Sequence, residues 1–136
     1  MTAYYLDATV PAYALGGEHP ARDPARRLIR EAAEGRIVLQ ASVEMVQELL
    51  HHRMRRVDAA VAVRQARAVG EMCILHSFDT ATLSRALDLV AEAGVRGRDA
   101  VHAATALMHG VPQVLSTDPD FDRIPGITRV PPSAFD

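Results

Sequence analysis

Lysine is absent from this chain of 136 residues, and all 15 of its basic residues are arginines. Codon bias is the simpler explanation for the absence of lysine, although the planar guanidinium groups of arginine also suit phosphate ligands. The net charge of −2 does not by itself predict a nucleic-acid partner. It does not exclude one either, because the charge becomes +2 once four acidic side chains are set aside for a metal site.

Cysteine and long apolar segments are also scarce. The single Cys73 has no partner for an internal disulfide, and its place in the apolar run 72–75 predicts a small buried hydrophobic side chain. No apolar run approaches the roughly 20 residues that span a bilayer. Residues 1–6 lack the basic and then apolar pattern of a secretory signal. We therefore expect a cytoplasmic protein that does not enter a membrane.

Short apolar runs alternate with longer segments of helical periodicity, within one predicted domain over residues 1–136. Strands are predicted at residues 4–6, 37–39, 74–76 and 114–116, with a weaker fifth at 127–129. Helices are predicted between them, with N-caps at Asp23, Ser42, Asp58 and either Asp79 or Thr80, and ends at Gly35, Gly94 and Gly110. Strands separated by helices indicate an α/β fold with a central, mostly parallel sheet of four to five strands, covered on both faces.

Two acidic residues follow predicted strands at the carboxyl end, where open parallel sheets bind ligands. Asp7 directly follows the first strand, and Asp118 follows the fourth by two residues. If these strands are neighbours at the centre of the sheet, the two carboxylates face each other. Their repulsion costs several kcal/mol at low effective dielectric unless a cation neutralises it.

A structural role competes with a functional one at each candidate acid. Function explains Asp7 better, because Thr9 is better placed to cap the short helix that follows. Asp99 stands in the first turn of a helix, where a carboxylate either complements the helix dipole or points at a ligand. Asp118 and Asp120 lie in a turn, and turn chemistry alone is enough to explain acids there.

Helical-wheel position separates Glu48 from Glu44. The buried stripe of this helix is predicted to contain Val43, Met45, Val46, Leu49 and Leu50. Glu44 falls on the open polar face and is predicted to be solvated. Glu48 lies at the edge of the stripe, from where its carboxylate can point along the surface into a cleft.

Histidines allow a different interpretation of two of these acids. Glu48 with His51, and Asp99 with His102, are carboxylate-x-x-His pairs at the helical spacing used by carboxylate-bridged di-metal oxidases. That alternative requires a four-helix bundle, and such a bundle contains none of the strands predicted here. His102 is otherwise interpreted as a packing or near-site polar group, and His51 and His52 as a solvated helix end.

Four segments, in order along nearly the whole chain, resemble the acidic motifs of VapC-type toxins of the PIN-domain ribonuclease family. The first is YLDAT at residues 5–9, with Thr9 where Asn or Ser is more usual, and the second is Ser42 followed by Glu48-Leu49. The third is RDAVHAATAL at residues 98–107, and the fourth is VLSTDPDFDRI at residues 114–124, in which Ser116 precedes the acid by two.

The resemblance implies a three-layer α/β/α fold and a metal-dependent endoribonuclease that acts as the toxin of a type II toxin–antitoxin system. It also implies an RNA substrate, a cognate antitoxin protein and a homodimer. Carboxylates without cysteine ligands suit Mg²⁺ or Mn²⁺. The catalytic and metal-binding acids are then Asp7 and Asp99 as main ligands, with Asp118 and Glu48. The hydroxyls of Thr9 and Ser116 are expected to support these carboxylates.

Two other classes remain as rivals. Receiver domains and haloacid-dehalogenase-type phosphatases also place an Asp after the first strand, but they normally use a lysine, which this chain lacks. A PIN-like module that binds RNA or protein without cutting is the second rival. Four mutually repelling carboxylates are costly to keep without a metal, which disfavours it. No Gly-x-Ser-x-Gly motif or other activated nucleophile is present.

Overall fold

Five parallel strands form a single sheet in the computed structural model, which describes residues 1–136. The strands are β1 (Ala3–Leu6), β2 (Val38–Ser42), β3 (Cys73–His76), β4 (Gln113–Leu115) and β5 (Thr128–Val130). Their spatial order is β3-β2-β1-β4-β5, and every neighbouring pair is parallel. The predicted α/β fold is confirmed, and β1 and β4 are neighbours at the centre.

Six α-helices connect the strands, and they pack as consecutive pairs. They are α1 (Thr9–Leu15), α2 (Arg22–Ala33), α3 (Val43–Met54), α4 (Ala59–Glu71), α5 (Thr80–Ala93) and α6 (Gly97–Met108). Helix α1 packs on α2, α3 on α4, and α5 on α6, while α3 and α6 also contact the sheet. Two short 3₁₀ helices follow β4 and β5, at Pro119–Arg123 and Pro132–Phe135. None of the helices combines the length and the apolar character that crossing a bilayer requires.

Side-chain caps start three of these helices where the sequence predicts them. The Ser42 hydroxyl accepts a hydrogen bond from the first turn of α3, and the Asp58 and Asp79 carboxylates do the same for α4 and α5. Gly94 ends α5 at a φ of +65°, a left-handed conformation that favours glycine. The predicted cap at Asp23 is wrong. Helix α2 already begins at Arg22, and Asp23 lies in its first turn.

The core lies between the central strands and the helices. Its fully buried members include Tyr5, Leu6, Val114 and Leu115 of the sheet, with Leu28, Met45, Leu49, Leu89 and Phe121 packed against them. Four alanines of α6 (Ala100, Ala103, Ala104 and Ala106) are also buried. Small side chains allow this helix to approach the sheet closely, which brings its first turn near the ends of β1 and β4.

Strand β3 departs from the predicted buried apolar run. It lies at the sheet edge and pairs with β2 alone, so Ile74 and Leu75 remain 52% and 41% exposed. Cys73 is half-buried, and burial raises the pKa of its thiol to about 12. The thiol is therefore no activated nucleophile. Val43, predicted in the buried stripe of α3, is exposed at the start of that helix.

Candidate metal centre

A pocket of about 220 Å³ opens beyond the carboxyl ends of β1 and β4, at the point where the order of strands reverses. The sheet topology places ligand sites at such a point. All four predicted acids line it, together with three cationic or titratable side chains: Asp7, Glu48, Asp99, Asp118, Arg96, Arg98 and His52. The structure therefore brings the predicted acids together, and their catalytic role stays a prediction.

Asp7 is held by both central strands. Its backbone N–H donates to the Leu115 carbonyl of β4 at 3.0 Å, and the residue is only 5% exposed. Two hydroxyls converge on Oδ2: Thr9 Oγ1 donates at 2.9 Å and Ser116 Oγ donates at 2.7 Å. Thr9 is not the cap of α1 that the sequence suggested, because its hydroxyl is turned to Asp7. Ser116 Oγ also accepts from the Asp118 N–H, which connects the first acid to the fourth.

Asp99 and Asp118 form a second group with Asp120, in which one carboxylate oxygen from each lies within 4.8 Å of the others. Arg96 is the cation nearest to this group. Its guanidinium nitrogens lie 3.6 Å from Asp99, 3.1 Å from Asp118 and 3.3 Å from Asp120. Asp118 also caps the 3₁₀ helix at Pro119–Arg123 through its other oxygen. This residue therefore has a structural role in the turn and also lies at the site.

Glu48 lies with Asp7, and Glu44 does not line the pocket. The helical register predicted for α3 therefore places the carboxylate of Glu48 at the site. Oε1 of Glu48 is 2.9 Å from Nε2 of His102, and ligand atoms of Asp7, Glu48 and His102 lie within 4.8 Å of one another. Glu48 pairs with this histidine from α6 and not with His51 of its own helix.

The electrostatics of the pocket favour a bound cation. Burial, followed by the negative charges of Asp118 and Asp7, raises the pKa of Asp99 to about 6. Oδ2 of Asp99 is buried and has no hydrogen-bond partner, since the Arg96 guanidinium, 3.6 Å away, lies beyond hydrogen-bond distance. A buried oxygen without a partner is costly, and a metal ion would satisfy it. The donor set is almost entirely carboxylate oxygen, which suits Mg²⁺ or Mn²⁺.

Residues 4–127 match the PIN domain family. The chain belongs to this family. It is 37% identical to Ribonuclease VapC7 of Mycobacterium tuberculosis, in an alignment that covers 95% of the chain and 91% of the relative. It is also 29% identical to Ribonuclease VapC13 of the same organism, over 92% of the chain and 97% of the relative. The resemblance of the four acidic motifs is thus confirmed at the level of the family.

Solved structures confirm the PIN fold. DNA-bound VapBC from Salmonella typhimurium matches with a TM-score of 0.75 at 17% identity, covering 97% of this chain and 99% of that one. VapC20 of Mycobacterium tuberculosis, described as a sarcin-ricin loop cleaving toxin, matches with a TM-score of 0.72 at 17% identity, covering 88% and 92%. At these identities the likeness concerns the fold.

Several residues of the PIN-domain pocket escaped the sequence analysis. His52, predicted as solvated, is half-buried at the pocket, where burial and the charges of nearby arginines lower its pKa. Arg96 was overlooked, although its spacing of three residues from Asp99 in the same helical start was a usable signal. Arg98, predicted only as a helix start, also lines the pocket. Nothing local to His102 could reveal its partner on α3.

The raised pKa of Asp99 predicts how the metal-free PIN domain responds to pH. The folded carboxyl, with a pKa of about 6, binds its proton more tightly than the unfolded one at about 3.9. This group therefore lowers the stability of the folded state as pH rises from about 4 through 6. We expect Asp99→Asn to raise the melting temperature of the chelator-treated protein more at pH 7.5 than at pH 4.5.

The measurement is thermal unfolding of both proteins across this pH range, and the quantity of interest is the difference between them. Carboxylates remote from Asp99 are the same in both proteins, so their contributions to the pH dependence cancel in this difference. A difference that is constant with pH, or larger at pH 4.5, would show that Asp99 is not the group with the raised pKa.

Proposed function

We propose that this chain is a metal-dependent endoribonuclease that hydrolyses RNA phosphodiester bonds, formed by a single PIN domain over residues 1–136. We propose further that it is the toxic component of a type II toxin–antitoxin system. One observation carries the proposal: four acids from four separate segments line one pocket, in a chain 37% identical to a VapC ribonuclease over 95% of its length.

Asp7 and Asp99 would be the main ligands of Mg²⁺ or Mn²⁺, Asp118 would complete the site directly or through water, and Glu48 would hold a second metal or orient the water. When bound, the metal lowers the pKa of a coordinated water and neutralises charge on the phosphoryl oxygens. Thr9 and Ser116 keep the Asp7 carboxylate oriented through its Oδ2.

Two arginines at the same pocket supply positive charge for the substrate. Arg96 is 67% exposed and its side chain makes ion pairs with the acids of the pocket, so its guanidinium would be available to an RNA phosphate if a bound cation balanced the charge of those acids. Arg98 lines the pocket beside it. Guanidinium groups match phosphate oxygens in geometry and charge.

We propose that a cognate antitoxin protein neutralises this activity and that the chain forms a homodimer. The resemblance to VapC-type toxins implies both, and the Salmonella typhimurium structure of the same fold is of a VapBC complex. Light scattering of the purified chain would test the homodimer, and RNA cleavage by the chain after co-expression with a candidate antitoxin would test neutralisation.

A metal-removal assay tests the nuclease proposal. We expect cleavage of a structured RNA with Mg²⁺ or Mn²⁺, a fall of about a hundredfold or more with excess chelator, and recovery when metal is added back. Asp7→Asn, purified in the same way, controls for contaminating nucleases.

Cleavage that persists in chelator, in a preparation whose Asp7→Asn counterpart is inactive, would contradict the metal-dependent mechanism. Tight RNA binding without any cleavage would instead support the rival, a non-catalytic PIN-like module. The di-metal oxidase alternative is wrong, because a five-stranded parallel sheet is not a helix bundle.

A further inference from the structure

A buried chain of hydrogen bonds runs behind the acidic pocket, and only its last member, Glu48, has a part in the mechanism above. The backbone N–H of Ser42 donates to the Tyr5 hydroxyl at 3.0 Å. This hydroxyl lies 2.5 Å from Nδ1 of His102, whose Nε2 lies 2.9 Å from Oε1 of Glu48. Tyr5 and His102 are 0% and 1% exposed. The chain therefore links β2, β1, α6 and α3, and it reaches solvent only at Glu48, which lines the pocket.

The direction of these hydrogen bonds follows from the donors available. Burial raises the pKa of Tyr5, so its hydroxyl keeps its proton. The hydroxyl oxygen already accepts from Ser42, and the acceptor beside it is Nδ1 of His102. The carboxylate of Glu48 can only accept, so in the neutral ring the single proton lies on Nε2 and Tyr5 donates to Nδ1. Nε2 also holds a proton in the imidazolium form, so it donates to Glu48 in both states.

Each of the other pocket acids has its own support. Two hydroxyls hold Asp7, and Arg96 pairs with Asp99 and Asp118. Glu48 has one hydrogen-bond partner, which is His102. A glutamate side chain loses considerable rotamer freedom when it is fixed, and repulsion from Asp7 acts against a position inside the pocket. Without the imidazole, nothing in the pocket would keep this carboxylate near Asp7.

We propose that His102 is the positioning residue for Glu48, and that Tyr5 fixes the imidazole with Nε2–H aimed at Oε1 of this carboxylate. The inference rests on the proposed function of the pocket as a metal-dependent nuclease site. His102 itself does not line the pocket. It acts through Glu48, whose second oxygen it leaves to the pocket.

Variants of the full chain test this role. His102→Leu removes the donor and keeps an apolar side chain in the core, while His102→Gln restores an N–H donor to Glu48. Thr105→Val is the matched control: Thr105 is buried on the same face of the same helix, and its hydroxyl bonds only the Val101 carbonyl. Tyr5→Phe removes the hydroxyl that bonds Nδ1 of His102, on the side of the imidazole opposite to Glu48.

We expect His102→Leu to weaken Mn²⁺ binding, measured by calorimetry, or to lower kcat on RNA, by about tenfold to a hundredfold. His102→Gln should recover most of this loss, Tyr5→Phe should show a smaller loss, and Thr105→Val should match the wild type. In ¹⁵N spectra of the metal-free wild type, recorded at a pH where the His102 ring is neutral, Nε2 should carry a proton and Nδ1 should report a hydrogen-bond acceptor.

Three results separate the possibilities. If His102→Leu equals Thr105→Val in both Mn²⁺ affinity and kcat, or if Nε2 is unprotonated, the positioning role is overturned while the nuclease proposal stands. If the wild type neither binds Mn²⁺ nor cleaves RNA, the nuclease proposal itself fails. If His102→Leu does not fold, His102→Gln and Tyr5→Phe are compared instead. A positioning role requires Tyr5→Phe to lose more Mn²⁺ affinity or kcat than His102→Gln does.

Discussion

Asp7→Asn and Asp99→Asn are each expected to reduce RNA cleavage by about a thousandfold or more, because each removes a full charge from the main ligands of the proposed metal. The fold should survive both changes. An asparagine oxygen at position 7 can still accept from the Thr9 and Ser116 hydroxyls that now bond Oδ2. Loss of one charge also relieves the repulsion between Asp7 and Asp99, which contributes to the raised pKa of Asp99.

The measurements are single-turnover cleavage with Mn²⁺ and thermal unfolding in chelator. Asp23→Asn is the matched control, because it makes the same chemical change at a well-exposed carboxylate on α2. We expect the metal-free Asp7→Asn protein to be at least as stable as the wild type. If it melts well below the wild type while Asp23→Asn does not, Asp7 is a structural residue and its assignment as a ligand is wrong.

Glu48→Gln is expected to lower cleavage by on the order of a hundredfold, the effect of losing one positioned acid–base group. The amide oxygen of glutamine can still accept from Nε2–H of His102, so the side chain should stay in place. This variant therefore removes charge from the pocket without removing the hydrogen bond behind it. Cleavage rate and melting temperature should respond differently: the first falls, and the second is nearly unchanged.

Glu44→Ala supplies the comparison one helical turn away. Glu44 does not line the pocket, so we expect full cleavage and a change in unfolding free energy of no more than about 0.5 kcal/mol. Loss of cleavage in Glu44→Ala together with an active Glu48→Gln would reverse the assignment of the second acid.

Local sequence determined the elements of this fold and the order of its acids. The caps at Ser42, Asp58 and Asp79 and the turn at Gly94 depend on neighbouring backbone groups, so the sequence predicts them correctly. Alternation of strands and helices makes the strands parallel, which places Asp7 at the edge where ligands bind. Helical periodicity, together with the spacing from Ser42 to Glu48 that resembles the family motif, chose Glu48 over its neighbour one turn earlier.

Tertiary structure alone decided what surrounds those acids. His102 meets Tyr5 across 97 positions of sequence and Glu48 across 54, and no periodicity encodes such pairs. The exposure of Ile74 follows from the position of β3 at the sheet edge, which depends on strand order and not on the apolar character of the run. The raised pKa of Asp99 likewise arises from burial and from charges that other segments bring close. These properties come from long-range packing, so they appear only once the chain is folded.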